Sequence, residues 1–216
     1  MKGYVKTAVW KLNQKLWKRK KKANLKKYPE LVGERSGISV ISCNCIGGVV
    51  MSELNMVFAS PTVNCFLSAP DFLKLCENLK EYLALEPQPQ ENDDFSYPLC
   101  RLGDLTIHAV HYKSFEEFRE IWDRRKTRVR FDRLFLIFTD RDGFTEDMLP
   151  RIARLPYKKV LFAKQAHPGY DFVCRLPGFE TEESIGNAAD YRGCTGKRVY
   201  AKYPFAEVFL DMIKKK

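Results

Sequence analysis

Residues 38–54 constrain the fold of this chain more than any other stretch. Ile38-Ser39-Val40-Ile41 is a short β-branched run suited to a buried strand, and it ends in the small polar loop Ser42-Cys43-Asn44-Cys45. Gly47 and Gly48 then lead into residues 49–54, which can start a helix. A strand–loop–helix turn with paired glycines lets a substrate approach the backbone, and the helix N-terminus offers unpaired N–H groups. A thiol placed there, such as Cys45, has its thiolate favoured. The same residues also fit a tight turn with two ordinary buried cysteines.

Further apolar runs recur between helical patterns. Residues 62–67, 105–111, 133–139 and 159–163 read as strands. Helices are expected from Ser68, with proline in the first turn, and from the capping box Ser114-Phe115-Glu116-Glu117, with a short one opening at residues 145–148. Residues 86–96, with two prolines and four acids, form an exposed loop, and residues 177–197, with four glycines, are a candidate flap. Strands alternating with helices indicate one α/β domain over residues 36–213, with a mostly parallel or mixed sheet flanked by helices. At 216 residues and 45% hydrophobic content, one good core is expected.

The net charge of +10 is concentrated in the first 27 residues, which carry eleven lysines and arginines and no acid; the remainder is net −1. A nucleic-acid binder would spread its basic surface over the fold, so nucleic acid is not the expected partner. Residues 1–28 read as a basic amphipathic helix in which Val5, Val9, Leu12 and Leu16 share an arc flanked by Trp10 and Trp17. Such a helix suits an anionic membrane surface, through residues 1–27, or packing on the body. Seven scattered cysteines without a CxxC pair suggest a reducing compartment, and no apolar stretch reaches the ~20 residues that span a bilayer. The expected location is cytoplasmic, peripheral to the inner face of the membrane.

Ligands of open α/β sheets bind beyond the carboxyl ends of the strands. Three loops qualify: 42–48, 111–114 and 140–143. Two chemistries then compete. In one, Cys45 is a nucleophile and His111 its base, with Asn44 or the Gly47 and Gly48 amides stabilising an oxyanion. In the other, Asp140-Arg141-Asp142 after an apolar strand resembles the acid-x-acid motif of metal-dependent glycosyltransferases, which implies that the two carboxylates hold Mg²⁺ or Mn²⁺ against a nucleotide-sugar pyrophosphate. Asp-Gly after a strand is equally ordinary turn chemistry. Arg124, Arg125 and Arg128 crowd a helix end, where guanidinium forks bind phosphate and where cations also complement the helix dipole. Ser42, Trp122 and Arg141 complete the candidate binding set, beside catalytic candidates Cys45, His111 and Asp140.

Asn44-Cys45-Ile46-Gly47-Gly48, Ser60-Pro61-Thr62, Tyr97-Pro98, His111-Tyr112, Trp122-Asp123-Arg124-Arg125, Arg128 and Asp140-Arg141-Asp142-Gly143 occur here in that order. In this the chain resembles a bacterial domain family associated with exopolysaccharide and capsule biosynthesis, over roughly residues 36–210. It departs from that pattern at Cys43, where a second asparagine is more usual. The resemblance implies surface-polysaccharide assembly; the expected activity is a transferase acting on an activated sugar or lipid-linked glycan, and the arginines suit its anionic sugar-phosphate or nucleotide-sugar ligand. The competing expectations are a papain-like Cys–His acyl-transfer enzyme and a non-catalytic assembly scaffold.

Overall fold

The computed structural model describes residues 2–91 and 93–215, and the side chains of residues 6–215 within that span. Val5 of the expected apolar arc lies outside the described side chains. In chain order the elements are α1 (Lys2–Lys27), β1 (Ser39–Ser42), α2 (Ile46–Glu53), α3 (Ala69–Glu77), α4 (Leu79–Ala84), β2 (Gln88–Gln90), β3 (Leu99–Leu102), β4 (Leu105–His108), α5 (Phe115–Lys126), β5 (Leu134–Thr139), α6 (Leu149–Arg154), β6 (Lys158–Ala163), β7 (Val173–Arg175) and α7 (Phe205–Lys214). The fold is α/β, as the alternation of elements predicts.

The main sheet is parallel throughout, in the order β1-β5-β6-β7. Leu134-Phe135-Leu136-Ile137-Phe138-Thr139 is buried at every position because both faces of β5 are covered. Leu134, Leu136 and Phe138 pack into one layer with α3, α4, α5 and α6, while Phe135 and Ile137 pack into the other with α2 and α7. Successive strand residues point to opposite faces, so one apolar run supplies both cores.

Two expected strands are corrected. Residues 62–67 turn instead of extending: Asn64 takes φ 68°, and only Phe66 bridges to β4, exchanging backbone hydrogen bonds with His108. The strand expected at 105–111 ends at His108 and joins an antiparallel sheet in the order β2-β3-β4. A hairpin turn at Gly103 (φ 63°) and Asp104 pairs it with β3. It is therefore not a neighbour of β1, which pairs with β5. The loop expected at 86–96 also contributes the exposed edge strand β2.

Helix α1 docks on the body through polar side chains. Asn13 Nδ2 donates to Gly193 O (2.7 Å), and Gly196 N donates to Asn13 Oδ1 (2.8 Å). Asn24 Nδ2 donates to Glu53 O (3.0 Å), and both asparagines are buried. The Glu53 carboxylate, 6% exposed, receives Trp17 Nε1 (3.2 Å), Tyr200 Oη (3.1 Å) and the Lys20 ammonium (2.5 Å). The expected apolar arc is thereby split. Leu16 lies against Gly196, where an added Cβ would have no room, while Leu12 stays 45% exposed.

Candidate functional site

The first candidate loop follows directly from β1. Asn44 Oδ1 accepts from Ile46 N (3.1 Å), and the buried Ser42 hydroxyl accepts from Gly47 N (3.1 Å) while donating to Asn44 O (2.5 Å). A Cβ on Gly47 would meet Ser42 Oγ at 2.5 Å, and one on Gly48 would meet Val63 Cγ1 at 3.1 Å. The glycines thus admit neighbouring chain, not an incoming ligand. The first amides of α2 are already engaged inside the turn, which removes much of what would favour an anion there. Cys45, at the N-cap of α2, is partly buried, and burial pushes its thiol pKa up. The expected stabilisation of its thiolate is therefore corrected. Cys43 Sγ lies 3.4 Å from Thr139 Oγ1 with its pKa pushed up to about 11 by burial.

His111 is exposed in the turn after β4, and among the described residues no hydrogen bond joins it to Cys45. Its neighbour Tyr112 turns inward instead. The Tyr112 hydroxyl donates to Val63 O (2.8 Å) and accepts from Arg125 Nη1 (2.9 Å), and burial raises its pKa. Arg125 Nη1 also donates to Val63 O (3.3 Å), and the guanidinium lies 5.3 Å from the Phe58 ring centroid. Val63 is the residue against which Gly48 closes, so α2, the 58–64 turn and α5 meet here.

Arg125 owes its place to α5. Ser114 Oγ accepts from Glu117 N (3.2 Å), and Glu117 Oε2 accepts from Lys113 N (2.8 Å), so the expected cap starts the helix. Phe118, Trp122 and Arg125 then follow one face. Trp122 is fully buried, which corrects its candidate role in binding: the ring fills core and offers no face to a ligand. Arg124 is exposed near Glu120 (3.8 Å), Lys126 pairs with Asp123 (2.7 Å), and Arg128 is exposed. Among the described residues Arg125 is partly buried and has no carboxylate partner.

At the carboxyl end of β5, each carboxylate oxygen of Asp140 accepts a backbone amide. Its Oδ2 accepts from Lys164 N (2.7 Å) and its Oδ1 from Ile185 N (2.9 Å), tying β6 and the 185 segment to β5. Asp142 takes φ 59°, its carbonyl accepts from Ala69 N (2.9 Å), and its carboxylate lies 3.8 Å from Arg141. That is turn chemistry, in which Asp142 and Gly143 supply left-handed backbone. Among the described residues no group of three or more His, Cys, Asp or Glu is gathered to hold a metal ion. A cavity of about 170 Å³ opens beside Asp140, between Lys164, His167 and Glu183; Cys45, His111 and Arg125 do not line it.

Residues 14–209, from the middle of α1 to α7, match the family described as a domain of unknown function, DUF1919. The chain belongs to that family. A relative from Haemophilus influenzae, described as an uncharacterized protein, is 37% identical over 174 residues, covering 80% of this chain and 84% of its own length. The match to DUF1919 starts at Gln14, so Trp17, Lys20 and Asn24 of the docked helix fall within it, while Asn13 lies just before it.

In this DUF1919 chain, sequence reasoning named the inward Tyr112 only within the His111-Tyr112 motif, without a role, and passed over Phe58 and Val63. Tyr112 carried a signal, because a hydroxyl-bearing aromatic one residue from an exposed histidine can reach the opposite side of the chain. Nothing in residues 58–63 shows that a backbone carbonyl there will receive an arginine. Cysteine accessibility gives a direct check on the loop. Alkylation is expected at exposed Cys194 first, more slowly at Cys45 and Cys174, and last at buried Cys43, Cys65, Cys76 and Cys100. Peptide mapping that ranks Cys45 ahead of Cys194 would restore an activated thiol.

Proposed function

We propose that this chain serves bacterial surface-polysaccharide assembly at the inner face of the membrane, binding the anionic group of an activated sugar or lipid-linked glycan. Arg125 carries the reading. A guanidinium has five N–H donors in a planar fork suited to phosphate. Arg125 directs Nη1 at two neutral oxygens and, among the described residues, faces no carboxylate. Partly buried cations are ordinarily compensated, and a phosphate would supply the missing charge. The resemblance in the sequence supports the pathway.

A transferase and a non-catalytic assembly protein both need such a grip. The non-catalytic reading is favoured by one observation: Asp140 is taken up by backbone amides of the fold. A thermal-shift screen against nucleoside-diphosphate sugars, sugar 1-phosphates and polyprenyl-phosphate analogues tests the shared claim. Ligand at a hundred-fold excess over Kd stabilises by about 2.7 kcal/mol, or roughly 5–10 °C for a domain of this size. No shift with any of these compounds would remove the proposal. Turnover of a binding sugar donor would then separate transferase from scaffold.

A further inference from the structure

The docked position of α1 fixes which of its faces meets solvent. At 100° per residue, Asn13, Trp17, Lys20 and Asn24 form the face turned to the body. Lys11, Lys15, Lys18 and Lys22 recur with the same spacing nearly opposite and are all exposed. They extend over about 16 Å of helix at 1.5 Å per residue. Among the described residues none of the four pairs with a carboxylate. Trp10, 57% exposed, and Arg19 border the same shallow surface.

We propose that this lysine ridge is a docking surface for anionic lipid headgroups, and that it lays α1 flat on the bilayer with the body held beneath it. Three observations select a lipid surface. The ridge is straight and lies on one convex helix, so it fits a plane and cannot enclose a strand. The rest of the chain is net −1 and offers no basic continuation along which nucleic acid could track. Exposed Trp10 and Leu12 flank the ridge, and tryptophan suits the headgroup boundary. The apolar stripe expected to insert is partly spent on the body, so attraction of charge dominates the contact.

The proposal rests on the membrane-face reading above, but its test needs no sugar ligand. The full chain is sedimented with phosphatidylcholine vesicles, with and without phosphatidylglycerol. Binding is expected only with the anionic vesicles and weakens at high salt. It falls about 100-fold or more in the variant Lys11→Gln, Lys15→Gln, Lys18→Gln, Lys22→Gln, at roughly five-fold per lysine near an anionic surface. These side chains are exposed, so the variant keeps the wild-type melting temperature. Equal binding to neutral vesicles, unchanged binding by the variant, or capture of RNA without vesicle binding would overturn the proposal. Arg125 is untouched in this variant, so loss of vesicle binding and loss of sugar binding are read separately.

Discussion

Trp122→Ala is expected to destabilise the chain by about 3–5 kcal/mol, the cost of deleting a large ring from a packed core. Trp122 is fully buried and lies 5.6 Å from the Phe118 ring, between α5 and the main sheet. A domain of this kind is stable by only about 5–15 kcal/mol, so the variant approaches unfolding at physiological temperature. Trp122→Phe keeps most of the ring volume. It also removes Nε1, a buried donor without a partner among the described residues, so its cost stays below about 1.5 kcal/mol. Urea denaturation followed by far-UV circular dichroism gives both values. A ligand platform would behave in the opposite way, with stability kept and binding lost.

The second large effect lies where α1 meets α2. Lys20→Met leaves the Glu53 carboxylate buried with Trp17 and Tyr200 but without its cation. Breaking a buried pair from one side costs about 3–5 kcal/mol, and the 39% exposure of the Lys20 side chain places the expected loss near 2–3 kcal/mol. Glu53→Leu combined with Lys20→Met should cost much less than the two singles added together, because the second change removes the stranded charge. Strict additivity would show that Glu53 is compensated elsewhere. The same reasoning applies to removal of residues 1–27, which strips the Glu53 carboxylate of Trp17 and Lys20 and its carbonyl of Asn24. The helix therefore belongs to the folded unit despite its charge.

Much of this architecture was legible in residue patterns. Residues 134–138 are apolar without interruption, as a strand covered on both faces requires, whereas Leu105-Thr106-Ile107-His108 alternates. That contrast already separates the parallel sheet from the antiparallel one, and Gly103-Asp104 marks the hairpin. Within α5, Arg125 follows Phe118 and Trp122 at helical spacing, so which arginine turns inward could be read from the chain. The docking of α1 could not. Hydrophobic periodicity follows valine and leucine, and the contact is made by Asn13, Asn24 and a buried carboxylate 29 residues from the nearer asparagine. Gly47 and Gly48 show the same limit. A glycine announces that something comes close, and only the fold shows that Ser42 and Val63 are what approaches.

Arg125 as the anion-gripping residue is tested most directly by calorimetric titration of the wild-type chain and Arg125→Lys with UDP-glucose and glucose 1-phosphate. Lysine keeps the charge but loses the planar fork, and the lost charge-assisted bonds weaken binding by roughly 10- to 100-fold. Saturable binding to the wild type that weakens by this amount in Arg125→Lys, with the melting temperature of the unliganded protein kept, is the predicted result. Equal affinity in the two proteins, or no binding by the wild type to either compound, would contradict it.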